Sequence, residues 1–253
     1  MAGIVVIFDF DKTIIDIDSD NWVIDGLGGT ALFERLLTTM PWNSAMDAVM
    51  KEFHSQGKTI EDIVAILKQV PIHPRVVPAI KAAHSLGQYF SEINTNPGFV
   101  DEEGKLRILP YVDFLKAPHG CSNVCPPNMC KGMIIERIQS SLEKNEKIIY
   151  LGDGAGDYCP MLKLGPENFV MPRKNFPVWS LISENRDLVK AKIHEWTDGQ
   201  ELEQILLGLI ASISEEEKRS ISSAQLFSSD CGFQTIAAMH GHEALPRALP
   251  VRH

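Results

Sequence analysis

The chain runs Gly3-Ile-Val-Val-Ile-Phe-Asp-Phe-Asp-Lys-Thr13 close to its N-terminus, and this stretch decides the fold class. Its first part is a continuous β-branched and apolar run, which is typical of a strand buried on both faces at the centre of a parallel sheet. The run stops at the polar cluster 9–13, where strand becomes loop. Because ligand sites in open α/β sheets lie at the carboxyl ends of strands, we expect a functional site there.

Strands and helices alternate along the rest of the chain, which predicts an α/β fold. Amphipathic helices within residues 44–70, the second opened by a Thr59/Asp62 capping box, indicate a small helical cap inserted after the first strand. We therefore assign residues 1–20 and 73–213 to the core and 21–72 to the cap, and expect the polar stretch 214–253 to be disordered. Further helices are predicted over about Val76–Leu86, Met133–Leu142, Ala155–Leu164, 178–194 and 201–213, and strands over Phe90–Ile93, Leu106–Leu109, Lys147–Leu151 and Asn168–Met171.

The composition limits the classes of function. With 44% hydrophobic and 23% charged residues, the chain has the composition of an ordinary globular protein. Its net charge is −9 and its longest basic cluster is Arg173-Lys174, so we expect no nucleic-acid partner. The longest apolar runs, Ile4–Phe8 and Ile205–Ala211, are too short to span a bilayer, and no signal-like segment precedes Asp9. We expect a cytoplasmic protein without a membrane partner, and the sequence leaves its oligomeric state open.

Asp9 and Asp11 are the strongest chemical feature. Two carboxylates spaced i, i+2 on extended backbone point to the same side, and such close like charges are costly without a cation between them. Mg²⁺ supplies that cation, since it is usually held by one or two carboxylates plus phosphate oxygens. One carboxylate can then attack phosphorus, and the other can act as general acid and base. The alternative is a solvated acidic turn.

A second acidic motif, Gly152-Asp-Gly-Ala-Gly-Asp157, follows the predicted strand Lys147–Leu151. Its glycines allow the backbone to approach a ligand closely. Its two carboxylates can complete a Mg²⁺ shell. Taken alone the motif could be a plain turn, but together with Asp9 and Asp11 it predicts a metal site.

These two motifs, Asp9-x-Asp-x-Thr13 and Gly152-Asp-Gly-x-x-Asp157, resemble the first and last motifs of the haloacid dehalogenase superfamily. The resemblance covers roughly residues 3–195 and implies a Rossmann-like parallel-sheet core. Finer features resemble the phosphoethanolamine/phosphocholine phosphatase branch, which in plants includes pyrophosphatase-like and thiamine-phosphate-phosphatase-like members. Those features are Asp16-x-Asp18-x-Asp20-Asn-Trp22, Glu92-Ile-Asn-Thr-Asn-Pro97 and Cys125-Pro-Pro-Asn-Met-Cys-Lys131.

The resemblance implies a Mg²⁺-dependent phosphoric monoester hydrolase. Its substrate would be a small polar phosphate such as phosphocholine, phosphoethanolamine or thiamine monophosphate, or pyrophosphate. Asp9 would be the nucleophile that forms an aspartyl-phosphate, Asp11 the acid/base, and Lys131 the cation that neutralises the phosphate. Asp20 and Thr13 would contact the substrate, although an Asp or Ser19 capping the helix that starts near Asp20 is an equal alternative. The predicted Mg²⁺ ligands are Asp9, Asp11, Asp153 and Asp157.

One motif of that family has no counterpart here: a Ser or Thr at the end of a second core strand, which binds the phosphate. The predicted helix that ends near Gly87 runs almost directly into Glu92, whereas a mean strand plus a mean helix takes roughly 17 residues. Nothing in the sequence places Ser91 at the site as a substitute. We therefore predict that one core βα unit is missing. The alternative function is a catalytically impaired phosphate-binding or regulatory variant.

Five cysteines, an odd number without a secretory signal, are expected to be reduced thiols. Cys121, Cys125 and Cys130 cluster in a C-x₃-C-x₄-C pattern. A structural zinc site wants four ligands, so His119 would have to be the fourth. Free loop thiols and a zinc-binding interaction module both remain open.

Overall fold

The computed structural model describes residues 3–84, 90–143 and 145–229, the last ten of these as backbone only. The chain falls into two compact units, Met1–Ser214 and Glu215–His253. Within the described ranges, no helix is both long and apolar enough to cross a membrane. The strands are β1 Ile4–Phe8, β2 Gly98–Val100, β3 Leu106–Ile108, β4 Lys147–Gly152, β5 Phe169–Pro172 and β6 Lys192–Ile193. The helices are α1 Ser19–Gly26, α2 Thr30–Leu37, α3 Trp42–Ser55, α4 Ile60–Leu67, α5 Val76–Ala83, α6 Lys131–Ser141, α7 Tyr158–Leu162, α8 Pro177–Glu184 and α9 Gly199–Ser229.

The core sheet has the order β1-β4-β5-β6, and all of its pairs are parallel. Alternate residues of β4 face opposite layers, as the period of two requires. Ile148 and Tyr150 pack against α6, α7 and α8, whereas Ile149 and Leu151 pack against α5 and the first part of α9. The predicted α/β class, with a parallel sheet between helices, is confirmed.

β1 lies at an edge of this sheet and not at its centre, which corrects the prediction made from its apolar sequence. Its five residues are half-buried, whereas β4 is buried from Ile148 to Gly152. In the part of the chain that the structure describes, β4 is the only strand paired with β1. A strand with the sequence of a central strand therefore has one open side, in agreement with the predicted absence of a βα unit.

Helices α1 to α4 pack in one hydrophobic cluster, which we call the cap, and this cluster also takes in a hairpin that the sequence did not predict. β2 and β3 pair antiparallel, and Leu106 and Ile108 pack into the cluster formed by the cap helices. Gly104, at φ 83°, closes the turn with an N–H bond to the Asp101 carbonyl. The strand predicted at Phe90–Ile93 is wrong, because residues 90–97 form no regular element and pairing begins only at Gly98.

Element ends differ from prediction in the C-terminal half. The helix predicted over 178–194 ends at Glu184, and a 3₁₀ turn leads into β6 because Val170 and its neighbours offer another parallel edge. The helix predicted over Ala155–Leu164 is a 3₁₀ turn followed by α7. α9 continues to Ser229, so the disorder expected from residue 214 does not begin there. Its extension begins with the helix-forming run Glu215-Glu-Glu-Lys-Arg219 and carries an i, i+4 pair between Glu215 and Arg219. The end of the helix predicted over Val76–Leu86 lies outside the described residues.

Asp47 of α3 ties the hairpin to the cap helices. Its Oδ1 accepts from Arg107 Nε at 2.8 Å and from the Ile108 N–H at 3.2 Å, and its Oδ2 lies 2.7 Å from Lys51 Nζ. Burial raises the pKa of Asp47, but the hydrogen bonds from Arg107, Lys51 and Ile108 outweigh it and lower that pKa to about 2.

Asp47→Asn is expected to lower the free energy of unfolding by roughly 1–3 kcal/mol at neutral pH, since it removes charge-assisted hydrogen bonds. A lowered pKa means that the contribution is fully present above the ordinary value of 3.8 and is lost as pH falls from there towards about 2. Thermal unfolding of both proteins across that range measures the difference, with the surface variant Asp187→Asn as control. A gap in Tm that is the same at pH 7 and pH 2.5 would contradict this account.

Candidate active site

Asp9 and Asp153 meet because β1 and β4 end side by side. The Asp9 N–H donates to the Leu151 carbonyl at 2.9 Å, one residue beyond the last paired position of β1. β4 continues through Gly152 into Asp153, so both carboxylates leave the carboxyl edge of the sheet together. This is the edge at which open parallel sheets place their ligands.

Lys131 joins the two acidic motifs. It is the first residue of α6, and its Nζ donates to Asp9 Oδ1 at 2.5 Å and to Asp157 Oδ1 at 2.8 Å. Burial lowers the pKa of Lys131, but the charges of Asp157 and Asp9 outweigh it and raise that pKa above its ordinary value. The side chain is therefore a fixed cation between two carboxylates.

Asp157 is fully buried and fully bonded. Its Oδ1 accepts from Lys131 and from the Tyr150 hydroxyl at 2.7 Å. Its Oδ2 accepts from the N–H groups of Asp153, at 3.1 Å, and Gly154, at 2.9 Å. Four donors fill the roughly four lone-pair positions of a carboxylate. Gly152 makes this possible, because a Cβ there would collide with the Asp157 side chain.

The carboxylates of Asp9, Asp153 and Asp157 fit a divalent cation. One oxygen from each lies within 4.8 Å of the others. Burial, followed by the charges of Asp157 and Asp9, raises the pKa of Asp153 to about 7, and burial and Asp157 likewise raise the pKa of Asp9. The raised pKa values show that the nearby lysines do not fully offset the repulsion among the three carboxylates, and a hard cation such as Mg²⁺ would relieve it. Because Asp157 is already saturated, Asp9 and Asp153 are the better direct ligands.

Thr13 and Asp11 take different places around this group. The Thr13 hydroxyl is buried and donates a long 3.4 Å bond to Asp153 Oδ1, so it orients a candidate ligand. Asp11 lies outside the carboxylate group, and its Oδ1 accepts from the Ser19 N–H at 2.9 Å. Three of the four predicted metal ligands therefore come together, and the Asp11 carboxylate instead joins the active-site loop to the start of the cap.

Asp20 lies in the first turn of α1 and faces other acids. Burial, followed by the charges of Asp11 and Asp18, raises its pKa to about 7. The N-cap position belongs to Asp18, whose side chain makes no capping bond and pairs instead with Lys12 at 2.5 Å. Asp20 is thus a half-buried acid beside the predicted acid/base residue, and its acidic neighbours favour a positive group there.

Arg173 is a site residue that the sequence analysis missed. Its guanidinium donates to the Lys12 carbonyl at 2.5 Å and to Asp16 Oδ1 at 2.8 Å, and it stacks on Trp196 and Phe176. It therefore clamps the loop that follows Asp9 to the end of β5. A signal existed, because Arg173 lies two residues after the predicted strand Asn168–Met171. It directly follows β5, as Asp9 directly follows β1.

An apolar cleft of about 600 Å³ runs from Asp9 and Lys131 along the open side of β1. One wall is β1 itself, the second is α6 through Ile134 and Ile138, and the third is the segment 90–95. This is the position that another strand beside β1 would occupy. Ser91 lies in that third wall, on a segment without regular structure.

Comparisons with known proteins also indicate a phosphatase. The chain matches the family described as "Putative Phosphatase" over residues 4–86 and 82–210. It is 58% identical to "Inorganic pyrophosphatase 1" of Arabidopsis thaliana, over 96% of this chain and 92% of that protein. It is 44% identical to the "Thiamine phosphate phosphatase-like protein" of the same plant, over 86% and 99%, and 30% identical to the human "Phosphoethanolamine/phosphocholine phosphatase", over 70% and 76%. No solved structure matches the chain. The resemblance predicted from the motifs is confirmed.

The same comparisons bear on the missing unit. The match to the family is split in two at residues 82–86. The alignment with the first relative takes 276 positions to accommodate 96% of 253 residues, about 243, so about 33 positions face a gap in this chain. In total, these positions are as many as a strand, a helix and their loops take. The split and the open side of β1 agree with the prediction that a βα unit is absent.

Proposed function

Because the chain belongs to this phosphatase family, we propose that it is a Mg²⁺-dependent phosphatase of a small polar phosphomonoester or of pyrophosphate. The predicted enzyme class, a phosphoric monoester hydrolase, follows from that membership. One observation carries the proposal: Lys131 Nζ bridges Asp9 and Asp157, with the Asp153 carboxylate beside them, at the carboxyl edge of a parallel sheet. Nucleophile, fixed cation and metal ligands are thus within one site.

Asp9 acts as the nucleophile. Lys131 holds Asp9 Oδ1, so the second oxygen attacks phosphorus while the bond from phosphorus to the leaving oxygen breaks, which gives an aspartyl-phosphate. The Lys131 ammonium stabilises charge on the phosphoryl oxygens. Asp11 gives its proton to the leaving oxygen and then takes one from the water that releases phosphate. Magnesium held by Asp9 and Asp153 would neutralise the repulsion between carboxylate and phosphate.

Asp20 sets the preference among substrates. A substrate with an ammonium head would place its charge beside Asp20, Asp11 and Asp18, the three acids that face one another at the start of the cap. Pyrophosphate has no such head and gains nothing there. Asp20 thus favours substrates with a cationic head, such as the two named for the human relative, whereas the catalytic roles of Asp11 and Lys131 are the same for every substrate.

The test is phosphate release by the purified full chain from phosphocholine, phosphoethanolamine, thiamine monophosphate and pyrophosphate, with and without Mg²⁺. Turnover is expected only with Mg²⁺. Asp20→Asn is expected to raise KM about tenfold for the three substrates that carry a positive charge, which is the equivalent of one charge-assisted contact. KM for pyrophosphate is expected to stay unchanged. Equal turnover in the presence of a chelator would refute the requirement for Mg²⁺. An equal effect of Asp20→Asn on KM for all four substrates would refute the role of Asp20 in substrate preference.

A second candidate function rests on the open side of β1. A chain that lacks a strand beside its nucleophile-bearing strand also lacks any phosphate-binding group that this strand would carry. The protein would then bind phosphate through Lys131 with little turnover. Binding of inorganic phosphate to a folded chain that releases none from the four substrates would favour this candidate.

A further inference from the structure

A second cluster of ligand-type side chains lies behind the active site. Four cysteines bring their sulfur atoms together so that all lie within 4.8 Å of one another. Neighbouring sulfurs are separated by 3.6, 3.7, 3.7 and 3.9 Å. The members of this four-cysteine cluster are Cys121, Cys125, Cys130 and Cys159.

These separations match a tetrahedral metal site. Zinc binds thiolate sulfur at about 2.3 Å, which puts the corners of a tetrahedron about 3.8 Å apart. A disulfide would require about 2.05 Å between two of the sulfurs, and all four separations are far longer. We propose that the four-cysteine cluster binds one structural Zn²⁺ ion.

Two neighbouring groups can stabilise metal-bound thiolate sulfur in this cluster. Asn123 Nδ2 points at Cys159 Sγ from 3.3 Å and at Cys121 Sγ from 3.7 Å, as an outer-shell donor to metal-bound sulfur would. Cys130 is the N-cap residue of the 11-residue helix α6, where the helix dipole stabilises negative charge. Gly132 leaves room for the cluster, because a Cβ there would come within 2.5 Å of Cys159 Sγ.

The fourth ligand is Cys159, which corrects the expectation of His119. Both ring nitrogens of His119 are engaged in contacts with the loop backbone. Nδ1 accepts from the Cys121 N–H, and Nε2 lies 3.1 Å from the Pro126 carbonyl. Cys159 stands 29 residues beyond Cys130 and follows Asp157 by two, so no local spacing pattern could connect it with the others.

The site would be structural. Cys130 and Cys159 are buried and the other two are half-buried, and four protein ligands leave no open position for a substrate. The metal would join the loop before α6, the start of α6 and the start of α7. Lys131 directly follows one ligand and Asp157 precedes another, so the ion would fix the Lys131–Asp157 contact from behind.

The test is metal analysis of the full chain, purified without added metal. We expect one zinc per chain. In Cys130→Ser and Cys159→Ser, the amount of bound zinc is expected to fall roughly tenfold or more. Cys231→Ser, which leaves the four cluster cysteines unchanged, and Asp153→Asn, in the carboxylate site, are expected to keep the zinc. The last variant separates this site from the proposed phosphatase site, since it removes a magnesium ligand only.

A serine variant that fails to fold is replaced by Cys125→His, because a Cys₃His set still binds zinc. This variant is expected to retain one metal per chain and to shift the visible bands of the Co²⁺-substituted protein. A purified chain without zinc that takes up neither Zn²⁺ nor Co²⁺ would overturn the proposal. So would one iron per chain in place of zinc, or serine variants that keep the metal.

Discussion

Replacing Asp9 with asparagine is expected to lower kcat at least about 10³-fold, because an amide oxygen cannot form the acyl-phosphate bond. Asparagine has the same shape and keeps an oxygen for Lys131, so the packing of the site is retained. The measurement is phosphate release with Mg²⁺ under conditions in which the unaltered chain turns over. Asp187→Asn, which makes the same chemical change on the surface, is expected to keep full activity.

Stability distinguishes this loss from misfolding. Burial and Asp157 raise the pKa of Asp9 above its ordinary value of 3.8, so the ionised carboxylate costs stability at neutral pH in magnesium-free buffer. The neutral asparagine removes that cost. Asp9→Asn is therefore expected to match or exceed the Tm of the unaltered chain while its activity is lost. A variant that loses activity and Tm together would give no support to Asp9 as the nucleophile.

The acidic motifs could be predicted from sequence because their positions follow from local patterns. An apolar β-branched run predicts a strand. The carboxylates directly after it must then lie at the carboxyl edge of the sheet. Asp9 and Asp153 are brought together in this way. The predicted capping box at Thr59 and Asp62 forms for the same reason, since its two partners are three residues apart.

The features that the sequence could not predict depend on long-range contacts. Arg173 contacts Asp16 across a sequence separation of 157 residues, and Cys159 reaches Cys130 only because α7 packs on α6. The hairpin β2–β3 has strands of only three residues each, of which β2 is exposed and β3 gains its partial burial from the cluster that contains α3. The prediction of a central position for β1 was wrong for a different reason. Its residues suit a neighbouring strand on both sides, but among the described residues only β4 pairs with it.

Inserting the missing segment after Gly87 is expected to raise kcat/KM about 10²-fold or more. The insert is taken from the 58% identical relative, whose alignment leaves about 33 positions in total without a counterpart in this chain. A strand beside β1 would fill the apolar cleft of about 600 Å³ and could bring a phosphate-binding donor to Asp9 and Lys131. One well-placed donor to a developing charge contributes about 10²–10³ in rate. Phosphate release with the panel of four substrates measures the gain.

The insertion is also expected to stabilise the fold by several kcal/mol, on the order expected when the half-buried side chains of Ile4–Phe8 become fully buried. A flexible Gly/Ser insert of equal length is the matched control, because it adds loop without a strand and is expected to improve neither Tm nor activity. Asp9→Asn in the chimera must abolish the gain if the added activity arises at the same site. A folded chimera no more stable or active than the unaltered chain would show that the open side of β1 is not a defect, and that this chain works with a four-stranded core.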